Sequence, residues 1–443
     1  MKLPSYCFFA ILIAIILTPV YAEEPDLLQE NIVKKENKQY LPSHDLDQKL
    51  KGLKPHDESS VEIDDNWING EYATGQWGGL RTKLEEKGIN FEVTYYSEPF
   101  FKTHGGLNNH SKLKYLGLVD YSLTLDTEKL GLWKGGTLFV LGQNVHGHAL
   151  SEQQIGDIQT ISSIDAPNLT QLAEYWYEHE FIPDRLKVKI GKQDANADFA
   201  IFDVCESYIN SSFTLNPTIP MPTYPEPTLG AALFARPYKG LILRAGIFDG
   251  KENNGQFGFK SAFDNPGGSF IVAEPAIEHF YKNYPGKYIF GFWYHTGNLE
   301  EISHIHRRKL FSSHHGFYTG FSQMVFKENK IEDDTQGLTL HAQFGWAPSN
   351  RSEISRQYTA GLAYQGLIPH RNDDIAGIGF ALADLSDRFI KIDGRTAETA
   401  LELFYKFQVT PFLSIQPDLQ YIFNPDGNLK NSLAIGVRTI LTF

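Results

Sequence analysis

The sequence predicts an all-β chain: a transmembrane antiparallel β-barrel of about sixteen strands, with a short N-terminal helix and a cleaved signal peptide. Three observations predict it. Phe (31), Tyr (22) and Gly (38) are abundant while mean hydropathy is only −0.31, a mixture that suits strands half greasy and half wet. From Ile89 to Phe443, segments of the length a tilted strand needs to cross a membrane alternate apolar and polar residues between Gly, Pro, Asn and Asp clusters. After Ala22 no apolar run is long enough for a spanning helix, so a chain that crosses a bilayer must do so as a closed, edge-free sheet.

Residues 1–22 read as the signal peptide: an early Lys2, an apolar run through Ile16, then Val20-Tyr21-Ala22 as the small-x-small cleavage site. Cys7 leaves with it, and Cys205 alone remains, which excludes a disulfide-stapled fold. Residues 23–66 are charged, poor in aromatics and without a sheet period, and are read as a flexible periplasmic segment. The barrel domain is placed at 67–443. It opens with a short amphipathic helix over 78–87, with Leu80 and Leu84 on one side and Gly88 as its stop.

The last strands carry the pattern best. Leu433, Ile435, Val437, Thr439, Leu441 and Phe443 share one face, with Ser432, Ala434, Gly436, Arg438 and Thr442 on the other. Leu413, Ile415, Leu419, Tyr421 and Phe423 oppose Ser414, Gln416, Asp418 and Gln420, with Pro417 irregular; Leu401, Leu403, Tyr405 and Phe407 oppose Glu398, Glu402, Lys406 and Gln408. Near the start, Tyr115, Val119, Tyr121, Leu123 and Leu125 oppose Asp120, Ser122, Thr124 and Asp126. Segments around 135–148 and 268–281 alternate poorly. A soluble sandwich also alternates; strand length, aromatics near strand ends and a terminal aromatic favour the barrel. A barrel of this size leaves an aqueous lumen.

The stretch TGQWGGLRTKLEEKGI (74–89) resembles the N-terminal signature of the OprB-type carbohydrate-selective porins. LKVKIGKQDANADF (186–199), the loop through 208–237 and the end from 402 to 443 are similar to that family's central strand and loop and its closing strands. Gln76 departs from the usual Asp before Trp77, and residues 23–66 have no counterpart. The resemblance implies a sixteen-stranded outer-membrane porin that passes sugars, often monosaccharides, by passive diffusion. Its partners are then the sugar or another small polar solute and the outer-membrane lipids, with no cofactor. Homotrimers are common among such barrels by analogy alone.

A sugar channel needs a constriction where hydroxyls trade water for side chains, and aromatic faces for the C–H side of the ring. Candidates on the inner parity are Glu174, Trp176 and Glu178, with Trp176 standing between carboxylates; Lys187, Lys189 and Gln193 on the next strand; and Arg244, Trp293 and His295, with His341 and Gln343, further on. Opposed acidic and basic groups would set a field across the lumen that orients polar solutes. The bland alternative for each is a charged group that merely solvates a wet wall. The loop 195–228, stiffened by Pro217, Pro220, Pro222, Pro225 and Pro227, is expected to fold inward and narrow the pore, with Asp198, Asp203, Asn210 and Tyr224 as its lining; packing outward on a neighbour is the alternative.

Other chemistry is not supported. A net charge of −13 argues against nucleic acid. His146 with His148, His304 with His306, and His314 with His315 are pairs without further ligands at metal spacing, so no metal is expected. No G-x-S-x-G or P-loop pattern points to an enzyme. Two competing classes remain: a barrel lipid hydrolase, for which the outward faces lack the polar residues, and a secreted carbohydrate-binding β protein, which would stay soluble without detergent.

Overall fold

Ten-residue alternating segments can satisfy their backbone in lipid only by closing on themselves, and the chain does so. The computed structural model describes residues 67–443 except 109, 251–266, 282–283, 303–308 and 330–334. The signal peptide, the 23–66 segment and the His304/His306 pair lie outside the described residues. The barrel strands are β1 (Ile89–Gly106), β2 (Lys114–Asp126), β3 (Gly136–Gly147), β4 (Leu169–Ile182), β5 (Leu186–Gln193) and β6 (Thr228–Tyr238). They continue with β7 (Leu241–Asp249), β8 (Ser269–Tyr281), β9 (Tyr284–His295), β10 (His314–Lys327) and β11 (Gly337–Trp346). The set ends with β12 (Ile354–Gln365), β13 (Ile375–Leu385), β14 (Ala397–Thr410), β15 (Leu413–Phe423) and β16 (Lys430–Thr442).

Every neighbouring pair is antiparallel, and β1 closes the cylinder on β16, with Thr94 opposite Thr442 and Phe100 opposite Gly436. The expected sixteen strands are thus present as one closed sheet. Turns of two or three residues, 183–185, 239–240 and 411–412, lie at one end, and the longer connections lie mostly at the other. This is the asymmetry of outer-membrane barrels, whose short turns face the periplasm.

The N-terminal helix α1 is shorter than expected, Leu80–Glu86. Gly78 and Gly79 have φ of 64° and 84°, so the backbone ahead of Leu80 is left-handed and cannot join the helix. Its buried residue is Arg81, not a leucine: the guanidinium lies 3.6 Å from the Tyr72 ring centroid and 4.2 Å from that of Trp77.

The parities read from the terminal strands hold. Leu401, Leu403, Phe407, Ile415, Leu419 and Ile435 are exposed to the surroundings, whereas Glu398, Glu402, Gln416, Gln420, Ser432 and Arg438 are buried inside. In β3 and β8 the pattern fails for a physical reason: their inner faces are themselves apolar. Phe139, Leu141 and Val145 point inward from β3, and Phe270, Val272 and Ala276 from β8. Phe139 and Leu141 pack with Ala173 and Trp176 of β4, whereas Val145 and the β8 residues are covered by chain that enters the barrel.

Candidate functional site: the lumen and its two inward segments

Two connections, 148–168 and 194–227, turn into the barrel and pack on its inner wall. The second is the proline-stiffened loop, which folds inward as expected. The first was not foreseen. A loop packed inside a barrel must find partners for its backbone N–H groups, and the wall supplies carboxylates. Glu398 on β14 accepts from the N–H of Ile158 at 2.9 Å, Gln159 at 2.7 Å and Asp426 at 2.8 Å. Glu402, on the same face of that strand, accepts from the N–H of Ile209 at 2.6 Å and Asn210 at 2.9 Å. Across the lumen Glu274 on β8 accepts from the N–H of Ala200, the Tyr318 hydroxyl, both at 2.7 Å, and Arg244 at 2.8 Å.

Apolar seats complete the docking. Phe199, Phe202, Tyr208 and Phe213 of the second segment are fully buried in one cluster with wall residues Phe248, Phe270 and Trp293. Close approach of these rings depends on wall glycines. A Cβ at Gly379 would come within 2.6 Å of the Phe213 ring, and one at Gly361 within 2.5 Å of the Tyr208 hydroxyl. That hydroxyl donates to the carbonyls of Leu362 and Ile378, both at 3.0 Å, tying the segment to β12 and β13.

Along β4 to β9 the inner wall carries a band of ion pairs interleaved with rings. Lys187 lies 3.3 Å from Glu178; Lys189 pairs with Asp198 of the inward segment; Arg244 bonds Glu274 and the Asp198 carbonyl, both at 2.8 Å; and Lys287 lies 3.8 Å from Asp203. The ammonium groups of Lys187 and Lys189 stand 5.1 Å and 5.8 Å from the ring centroid of Phe234. Lys187 is 29% exposed and Asp203 60%, so these groups reach solvent in the passage.

The residues singled out from sequence divide in two. Glu178, Lys187, Lys189, Asp198, Asp203 and Arg244 come together in this band. Trp176 does point inward, but it is only 6% exposed, stacked on Phe139 at 4.8 Å with the Lys189 ammonium 4.9 Å from its ring. It does not stand open in the pore as the alternation alone suggested, because the apolar inner face of β3 gives it a partner. Glu174 is buried and accepts from the Asp194 N–H at 3.2 Å; a bulge at Ala173 puts it on the same side as Gln171. Gln193 is fully buried and donates to the Gly230 carbonyl at 3.1 Å. Trp293 packs edge-to-face on His314 at 4.7 Å, buried in the apolar cluster, and His295 ties the strand end to the Gly250 carbonyl and the Gly297 N–H, each at 3.0 Å. Both hold structure instead of lining the passage.

His341 and Gln343 flank the buried Cys205, whose thiol burial pushes up to about 12. Asn210 is buried, bonding the Gln159 carbonyl at 3.1 Å and Gln420 at 3.0 Å, and the Tyr224 hydroxyl donates to the Ile164 carbonyl at 2.8 Å; these two join the inward segments instead of lining a pore. In the first segment, burial and then the charges of Glu98 and Glu152 raise the Asp165 carboxyl to about 6, and burial with the Glu398 charge raises that of Asp157. Sequence reasoning placed Glu398 and Glu402 on the inner face but not as anchors, and missed Glu274, which sits in a strand without clean alternation.

Comparison with known proteins gives one consistent picture. A family model described as "Carbohydrate-selective porin, OprB family" matches residues 110–443. Porin B of Pseudomonas aeruginosa is 24% identical over 85% of this chain and 92% of its own length. The high-pH structure of Pseudomonas putida OprB superposes with a TM-score of 0.76 at 23% identity, covering 85% of this chain and 99% of that one; the low-pH structure gives 0.57 at 20% identity with the same coverage.

Proposed function

This chain belongs to the OprB family of carbohydrate-selective porins, and on that premise we propose that its lumen conducts monosaccharides and solutes of similar size passively across the outer membrane. The observation that carries the reading is the band of partly exposed ion pairs on β4 to β9, beside an inward segment that narrows the lumen. A sugar crossing this band exchanges water for Glu178, Lys187, Asp198, Asp203, Arg244 and Lys287, whose opposed charges orient uncharged hydroxyls. Trp176 acts behind them by holding Lys189. Because each polar contact replaces a water contact, binding stays weak and release fast. The polar solute takes no cofactor and no chemical step, and flow follows the gradient.

Residues 1–22 are then the export signal and 23–66 a periplasmic extension. Planar-bilayer conductance with a panel of mono- and disaccharides tests the reading: monosaccharides reduce single-channel current in a saturable way, and disaccharides pass slowly or not at all. A channel whose current is indifferent to every sugar in the panel would refute it.

A further inference from the structure

The outer surface of the barrel carries a furrow that conduction does not use. It lies across β7 to β13 and encloses about 700 Å³. Strand register explains its shape. In one row Phe321 stands opposite Ala342, Ala342 opposite Ala360, and Ala360 opposite Phe380. In the next row Thr319 lies between Phe290 and Phe344. Small side chains between rings leave a floor sunk below aromatic rims. The Thr319 hydroxyl donates to the Ile289 carbonyl at 2.9 Å, so the floor presents no spare donor and suits hydrocarbon, not a headgroup.

The furrow has a direction. It follows the hydrogen-bonding direction across tilted strands, so it climbs obliquely from Leu241 and Ile277 near the short-turn end towards Phe380 at mid-height. At the low end Leu241 follows a turn bearing Tyr238 and Lys239, both exposed, and Lys239 makes no ion pair among the described residues. Towards the high end the outward cation Arg356 is already bonded to Asp384 at 2.7 Å. At the low end of the furrow, then, the exposed Lys239 is a cation at headgroup level with no ion pair among the described residues.

We propose that this furrow seats one acyl chain of a periplasmic-leaflet phospholipid, with the phosphate held at Lys239 and Tyr238 at headgroup level. Lipopolysaccharide carries its phosphates at the opposite surface, away from the low end of the furrow and Lys239. A second copy of the chain would lay a convex wall over a concave strip and meet only the rims.

The test uses the full-length protein extracted in mild detergent, washed, and examined by native mass spectrometry after exposure to vesicles of palmitoyl-oleoyl phosphatidylethanolamine and phosphatidylglycerol or to purified lipopolysaccharide. One phospholipid is expected to remain per barrel. Filling the floor with the Ala342→Phe, Ala360→Phe pair removes it, and Lys239→Glu lowers its retention at least fivefold, with heat-modifiable migration and conductance unchanged. The single variants Ala342→Phe and Lys239→Glu keep the test alive should the double variant misfold. Equal retention in wild type and variants, preferential retention of lipopolysaccharide, no retained lipid, or a dimer lost with the floor substitutions would each overturn the proposal.

Discussion

The two halves of the inner wall hold the same inward segment by different means. On β6 to β10 the wall offers apolar surface: Ile242, Phe248, Phe270, Val272 and Trp293 pack against Phe199 and Phe202. On β14 to β16 it offers acceptors and donors: Glu402 takes the Ile209 and Asn210 N–H groups, and Gln416 donates to the Ser207 carbonyl at 2.8 Å. The difference teaches that a barrel interior is not uniformly wet. Side chains of a buried loop want a greasy seat, while its backbone needs polar partners, and the two sides weight those tasks differently, the apolar side adding only Glu274 and Arg244 for the Ala200 N–H and the Asp198 carbonyl.

Glu402→Ala is the most damaging single change to the polar half. It orphans two buried N–H donors at about 1–3 kcal/mol each, so the second inward segment loosens, single-channel conductance rises and monosaccharide block weakens. Unchanged conductance in a folded barrel would mean that the polar half does not set the aperture. On the apolar half, Phe202→Ala removes a fully buried ring at about 3–5 kcal/mol. Thermal melting followed by heat-modifiable migration should separate it from Glu402→Ala: it lowers stability with a smaller gain in conductance, because the backbone tether survives.

Within the ion-pair band on β4 to β9, Lys187→Ala and Asp203→Ala should weaken sugar block by roughly 0.5–1.5 kcal/mol each with the barrel stable. Trp176→Ala should instead lower stability, since its ring is packed on Phe139. Loss of block with stability intact in Trp176→Ala would restore the tryptophan as a solute contact.

The smallest effect is one of pH. Asp165 is raised to about 6 by burial and neighbouring carboxylates, so its folded form prefers the proton. Stability of the first segment is therefore gained as pH falls through about 6 and lost as pH rises through it. Hydrogen exchange across 148–168 should be slower at pH 5 than at pH 7 after correction for intrinsic rates, and Asp165→Asn should flatten the difference; a slope unchanged in that variant would assign it to another group.

Much of the architecture was legible because a strand pattern of period two is written residue by residue: Leu433 to Leu441 and Leu413 to Phe423 declare lipid and lumen without reference to anything distant. The parity that put Lys187, Lys189 and Arg244 inside was read in the same way. Which of them meet was not, since Lys189 to Asp198 and Arg244 to Glu274 join different strands and a loop. The exposed Trp176 expected from alternation failed for the same reason: whether an inward ring meets water or another ring depends on the neighbouring strand, here Phe139 on β3.

Sequence by itself therefore determined the closed sheet, its two faces, the prolines that stiffen the second inward segment and the family likeness, all of which are local patterns repeated along the chain. Only the tertiary structure decided that the segment 148–168 also enters the barrel, that Glu398 anchors it while Glu274 and Glu402 anchor 194–227, and that the apolar inner faces of β3 and β8 find apolar partners inside. Those facts depend on pairs such as Gln159 with Glu398, 239 positions apart in sequence, and a buried polar group declares its partner only when folding has removed the water that would otherwise serve.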